Sequence, residues 1–178
     1  MYLKTKKMKS VLVAFVTLLF VGCGAAPVFD YNTTTDFTAL KTYAFFPNIQ
    51  SGLTQLDDDR IKQTLDSLLR TKNITPSTNP DILINYYAYQ QLVAGSTIGV
   101  GVGSGGGNVG VGVSGGIPIS GKKIEQNFTL DFISNPADAL IWQGVITDSF
   151  KETATPAQKK THYIKLLSKL INGFPPKK

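Results

Sequence analysis

A single cysteine, a single histidine and a single tryptophan among 178 residues leave few side chains for a reactive centre. One cysteine excludes an intrachain disulfide, so an apolar core has to hold the fold alone. One histidine and one cysteine cannot furnish the ligand set of a structural zinc site, and His162 has no partner at a spacing that marks a catalytic triad. An apolar run of spanning length is also missing. The longest, residues 11–21, is interrupted only by Thr17 and is about half of the roughly 20 residues a membrane helix needs. Charge is scarcer than it looks. The formal +6 includes Lys4, Lys6, Lys7 and Lys9, and no acid precedes Cys23, so residues 23–178 carry 14 basic and 12 acidic residues, a net of +2. Such a balance does not argue for a nucleic-acid partner. The remaining excess is local: residues 151–178 hold seven lysines against Glu152 alone.

What is present begins with order at the N-terminus. Four lysines, a short apolar stretch and then Val21-Gly22-Cys23 follow the layout of a secretory signal with a small residue at the cut. A cysteine directly after that cut resembles the lipobox of bacterial lipoproteins, where the thiol receives a diacylglyceryl group and fatty acids such as palmitate. Phe20 stands where the pattern usually has Leu, with Leu19 one position early. An uncleaved anchor, or a plain signal with an incidental cysteine, stays open beside this reading. Gly24, rather than Asp, follows the cysteine and favours the outer membrane. Met8 is an alternative start, since Lys9 still supplies a basic residue.

The expected organisation is a signal peptide over 1–22, an acylated Cys23 with a tether to residue 35, and one domain over 36–178 with a glycine-rich insert at 95–121. Residues 36–46 read as a first strand ending at Pro47. Residues 57–72 form a helix with Ile61, Leu65, Leu68 and Leu69 on one stripe and Asp57 as its N-cap. Residues 81–90 are a strand with Ile82, Ile84 and Tyr86 on one side and Leu83, Asn85, Tyr87 and Tyr89 on the other. The insert holds 12 of the 17 glycines, and alternates Val with Gly over 98–113, as a weak hairpin would. Residues 124–133 and 140–147 form an antiparallel pair around the turn Asn135-Pro136-Ala137-Asp138, with Leu140, Trp142 and Ile146 on one face. Thr155, Pro156 and Gln158 open a last helix through a capping box, Ile164, Leu167, Leu170, Ile171 and Phe174 make its buried stripe, and Gly173 stops it. His162 falls beside that stripe, as a partly exposed residue. The order β-α-β-(Gly hairpin)-β-β-α predicts an α+β domain of two layers, a mainly antiparallel sheet with two amphipathic helices on one face.

Motifs with chemistry fail on context. Residues 101–106 satisfy G-x-G-x-x-G, but glycine and valine follow where a helix should open. Residues 116–122 spell G-x-x-x-x-G-K, with Lys123 in place of Ser or Thr. Asp57, Asp58 and Asp59 suit a helix start better than a metal or an acid–base pair. No cofactor and no catalytic residue is assigned, and an enzyme is not expected. The candidate interaction surface is the uncovered sheet face with Tyr87 and Tyr89.

Short motifs occur in a fixed order: Asp30-Tyr31; Asp36-Phe37; Lys41-Thr42-Tyr43-Ala44-Phe45; Leu56-Asp57-Asp58 with Arg60-Ile61; Pro80-Asp81-Ile82-Leu83; Leu130-Asp131-Phe132; Leu140-Ile141-Trp142-Gln143-Gly144; and Phe174-Pro175-Pro176. Together they resemble the bacterial lipoprotein family catalogued as domain of unknown function 4136. That resemblance implies an envelope lipoprotein and supplies no activity. Gln143 departs from the basic residue expected after the tryptophan.

The resulting expectation is a non-enzymatic binding or assembly module, held to a membrane by lipid and facing the periplasm, with an envelope protein as partner. The competing readings are a carrier of a small lipophilic ligand between sheet and helices, insertion of the Val-Gly hairpin into a membrane or a partner's sheet, and a distant envelope hydrolase. Cys23→Ser is expected to abolish labelling by a fatty-acid analogue and to release the protein from membranes; labelling that persists would place the anchor elsewhere.

Overall fold

The computed structural model describes residues 26–94, 97–98, 117–118 and 121–176. Ten elements follow in order: β1 (Val28–Tyr31), β2 (Thr42–Phe45), α1 (Gln55–Thr71), β3 (Thr75–Pro76), β4 (Ile82–Val93), β5 (Thr97–Ile98), β6 (Ile117–Pro118), β7 (Lys123–Ser134), β8 (Ala139–Lys151) and α2 (Pro156–Asn172). Six strands form one mixed sheet in the order β1-β8-β7-β4-β2-β3, with both helices on one face. β4, β7 and β8 are antiparallel along their length, whereas β2 runs parallel to β4 and to β3. The expected α+β architecture and element order are present. The alternating stretch over 99–113 lies outside the described residues; at its flanks β5 and β6 pair with each other.

Strand alternation sets the layers. Ile82, Ile84 and Tyr86 of β4, Phe128, Leu130 and Phe132 of β7 and Trp142 and Ile146 of β8 are all buried toward the helices. Ile61, Leu65 and Leu69 of α1 and Tyr163, Leu166, Leu167 and Leu170 of α2 close over them. Each such side chain contributes on the order of 1.5–3 kcal/mol by leaving water. An aromatic cluster anchors one end: Phe132 lies 4.9 Å from Trp142 and 4.6 Å from Phe174, centroid to centroid, and Phe29 lies 5.6 Å from Trp142.

Several local expectations are corrected. Residues 28–31, placed in the tether, form an edge strand, because Phe29 reaches the aromatic cluster while Val28 and Asp30 alternate outward. The first long strand shrinks to β2, because the Asp36 carboxylate accepts from the Thr38 amide (3.0 Å) and hydroxyl (2.6 Å) and turns the chain. The N-cap of α1 is Thr54, not Asp57: its Oγ1 accepts from the Asp57 amide at 3.3 Å. Leu140 is 51 % exposed and leaves the Trp142 face. The cause is a bulge, since Phe132 pairs with Trp142 but Ile133 with Leu140, so Ile141 is the extra residue. Ile164 is 43 % exposed and lines a groove between the helices, because the buried face of α2 is centred on Tyr163, Leu166, Leu167 and Leu170. The capping box of Thr155 and Gln158 and the Gly173 C-cap stand as expected.

The Asp81 carboxylate ties the start of β2 to the start of β4. One oxygen accepts from the amides of Lys41 (2.9 Å) and Thr42 (2.8 Å) and from the Thr42 hydroxyl (2.8 Å). The Lys41 amide, first among these donors, holds this carboxyl below the usual aspartate range.

Gly173 is needed for space rather than for its φ of −83°. A Cβ there would lie 2.2 Å from Cζ of Phe29. Gly173→Ala is expected to destabilise the fold by about 1–3 kcal/mol in urea unfolding, and adding Phe29→Ala should make the two effects markedly less than additive. Independent, additive losses would refute the steric account.

Candidate functional site

The face of the sheet opposite α1 and α2 presents the odd-numbered residues of β4, β7 and β8 as cross-strand rungs. Asn85, Asp131, Gln143 and Asp30 form one rung, and Tyr87, Thr129, Val145 and Val28 the next. Tyr89, Asn127 and Thr147 follow, then Gln91, Glu125 and Ser149. Neighbours within rungs are hydrogen-bonded: Asn127 Nδ2 donates to Thr147 Oγ1 (3.3 Å) and Gln91 Nε2 to Glu125 Oε1 (2.6 Å). Tyr87 and Tyr89 stand out of this flat polar surface, 47 % and 68 % exposed. Both fall where strand parity placed them. Cys23 lies outside the described residues.

Asp131 sits mid-sheet on the same face and is nevertheless buried. Burial pushes its carboxyl above the usual aspartate range, against the hydrogen bonds from Gln143 and Asn85. Gln143 Nε2 donates to Asp131 Oδ1 at 2.8 Å. The position that departs from the expected family pattern is thus the partner of this carboxylate. Sequence reasoning did not single out Asp131; an acid between Leu130 and Phe132 within a clean strand was the available signal.

A second set of polar groups lies under the helices. Asp57 is buried between Arg60 Nη1 (2.7 Å), Lys159 Nζ (2.9 Å) and the Thr54 hydroxyl (3.1 Å), so it joins α1 to α2. Asp58 accepts from the Tyr86 hydroxyl at 3.2 Å, while Asp59 is exposed. The three carboxylates therefore diverge, and among the described residues no group of His, Cys, Asp and Glu is placed to hold a metal ion.

His162, expected to be partly exposed, is buried. Its Nε2 lies 3.1 Å from Gln126 Oε1, and Gln126 Nε2 donates to the Tyr163 hydroxyl at 3.4 Å. With the glutamine amide in this orientation, Nε2 of the imidazole is the donor. On the other side Asp148 Oδ2 lies 4.0 Å from Nδ1, and Lys165 Nζ is 3.4 Å from the same oxygen. Burial lowers the affinity of His162 for a proton, and Asp148 only partly offsets this. Burial likewise pushes the Tyr163 phenol up to about 12, so it stays protonated. Among the described residues the histidine therefore has a carboxylate, an amide and aromatic rings around it.

Two clefts among the described residues are peripheral. One of about 490 Å³ lies beside β2 and α1, lined by Tyr43, Phe45, Lys62, Asp66 and Ser77. Another, about 280 Å³, follows the groove between the helices past Thr64, Leu68 and Ile164.

Residues 27–176 match the family described as a domain of unknown function, DUF4136. The chain belongs to the DUF4136 family. The match covers every strand and both helices of the main sheet. No curated protein matches the sequence. Among solved structures, a PDZ domain protein from Parabacteroides distasonis is similar with a TM-score of 0.55 at 14% identity, over 87% of this chain and 37% of that one. The DUF4136 chain thus spans little more than a third of that protein, and the likeness shows the fold alone. A PelC dodecamer from Paraburkholderia phytofirmans gives 0.48 at 11% identity over 82% and 97% of the two chains. A minor lipoprotein from Acinetobacter baumannii gives 0.37 at 11% over 74% and 88%.

The buried histidine sets a pH dependence. In the unfolded chain it titrates near 6.5 and in the fold lower. Below about pH 6.5 the unfolded chain takes up a proton that the folded protein does not, so stability falls as pH drops, with a limiting slope of about 1.4 kcal/mol per unit. The groups facing the ring are Asp148, Lys165, Gln126, Tyr163 and, farther off, Asp57. His162→Gln should flatten the curve between pH 6.5 and 5.5 in urea titrations; an unchanged slope would assign the dependence to other groups.

Proposed function

We propose that this DUF4136 protein is a lipid-anchored, non-enzymatic component of the bacterial outer membrane that faces the periplasm and binds another envelope protein through the open face of its sheet. The single observation that carries the binding surface is the pair Tyr87 and Tyr89, exposed beside hydrogen-bonding rungs on the face opposite α1 and α2. Tyrosine offers a large, rigid contact area at low entropic cost and is enriched at the centres of interfaces. The anchor rests on the sequence leading to Cys23.

Two observations favour binding over the competing readings. The space between sheet and helices is filled by Tyr86, Phe128, Leu65, Leu167 and their neighbours, which leaves a carrier little room there. Buried Asp57 and His162 are engaged with side chains of neighbouring elements, and neither lines either cleft described above.

Replacing Tyr87 or Tyr89 with a photo-crosslinking residue in intact cells is expected to capture a protein that reproducibly identifies by mass spectrometry. Tyr87→Ala with Tyr89→Ala should then reduce that complex at least tenfold while shifting stability by no more than about 0.5 kcal/mol. An envelope complex of unchanged amount and composition in the double variant would refute this surface.

A further inference from the structure

The route by which the chain enters the sheet orients the protein on its membrane. β1 runs antiparallel to β8, with Val28 opposite Val145 and Tyr31 opposite Trp142. The chain therefore reaches Val28 from the end of the sheet where β4 ends, β7 begins and β8 ends. β8 continues six residues past Val145 to Lys151, roughly 20 Å at the rise of a strand. Cys23 is five residues from Val28, so that segment reaches at most about 18 Å. Pro27 fixes its own φ and disfavours a helical turn at Ala26. An anchor at Cys23 then brings the strand ends level with the bilayer. The opposite end, with Ala137 in its turn, is out of reach without a reversal at Pro27.

The side chains at this end suit a lipid surface. Leu92, Ile124 and Phe150 form one rung, and Leu92 is 52 % exposed. In the last rung Lys123 lies opposite Lys151, and the Glu152 amide donates to the carbonyl of Lys122 at 3.1 Å, which sets the exposed Lys122 next to this rung. Like charges directly opposite repel. The ion pairs among the described residues include none of these three lysines. Of the two acids here, Glu125 is engaged by Gln91 and Glu152 is exposed. Lysines on the open face and an exposed leucine on the helix side of the same strand ends give an edge suited to interfacial contact, with ammonium groups on phosphates and the apolar group at the acyl boundary.

We infer that Leu92, Lys122, Lys123 and Lys151 form a second membrane contact, on anionic phospholipid, that stands the sheet on the bilayer with its open face unobstructed. The inference rests on acylation of Cys23. The test uses the full lipidated protein in vesicles of phosphatidylethanolamine and phosphatidylglycerol. Because acylation consumes the only native cysteine, a fluorophore can be placed at Leu92→Cys or Ala137→Cys and quenched by headgroup nitroxide lipids. Quenching is expected to be several-fold stronger at Leu92→Cys, and to weaken when Lys122→Glu, Lys123→Glu and Lys151→Glu are added. Intact mass and flotation are read on the same samples. Acylated protein that floats with the vesicles yet shows equal or stronger quenching at Ala137→Cys, or no response to the lysine changes, overturns the orientation alone. Protein without acyl mass on Cys23 overturns the anchor, and the inference falls with it.

Discussion

The fold depends on the register of β7. Among the described strands it is the one paired over its whole length on both sides, with β4 and with β8. Its even residues, Gln126 to Phe132, supply the floor beneath the helices, and its odd residues, Glu125 to Asp131, supply the middle of the open face. A slip of one residue would exchange these sets, putting phenylalanines in water and a carboxylate under the helices. The bulge at Ile141 shows the same constraint from the other side. It absorbs one residue of β8 so that Trp142 meets Phe132 in the core and Leu140 is turned out. The buried groups then fall into place: Gln126 is where it can bond both His162 and Tyr163 because β7 delivers it there.

Much of this was legible in the sequence wherever a local signal and a burial signal coincide. Strand parity alone placed Tyr87 and Tyr89 outside and Ile82, Ile84 and Tyr86 inside. The cap of the last helix was legible because Thr155, Pro156 and Gln158 are contiguous and each satisfies a backbone need on the spot. The misses share a different cause. Asp57 reads as a helix cap locally, but its deciding partner, Lys159, is 102 residues away. His162 reads as exposed beside a stripe, but Gln126 and Asp148 on two other elements enclose it. The strand character of β1 is invisible in four residues until β8 offers an edge. The Asp131–Gln143 pair required knowing which residues the β7–β8 hairpin sets opposite each other.

The motifs that mark the family divide by what they do in the structure. Asp81, Thr42 and Asp57 fasten strand starts and helices, while Trp142, Phe132 and Phe174 build the aromatic end. Asp131 differs from these, since it reaches the open face and not the core. Its neighbour Gln143 is uncharged, so the burial of the carboxylate is offset by hydrogen bonds from neutral amides and not by a counter-charge. A surface of amides, hydroxyls and two phenols, with little fixed charge at its centre, discriminates by shape and hydrogen-bond placement more than by long-range attraction.

The edge strand has a mechanical meaning. A load applied to Val28 along the axis of β1 is borne by β8 on one side, through antiparallel rungs from Val28 to Tyr31. Pulling along the strand strains all of those hydrogen bonds at once, as in a lap joint, and does not open them singly like a zipper. Phe29 works as a peg in that joint, since its ring sits against Trp142 and within the space Gly173 leaves open. Four residues that read as part of a tether in the sequence are thus built into the sheet, with rungs on one side and an aromatic peg in the core.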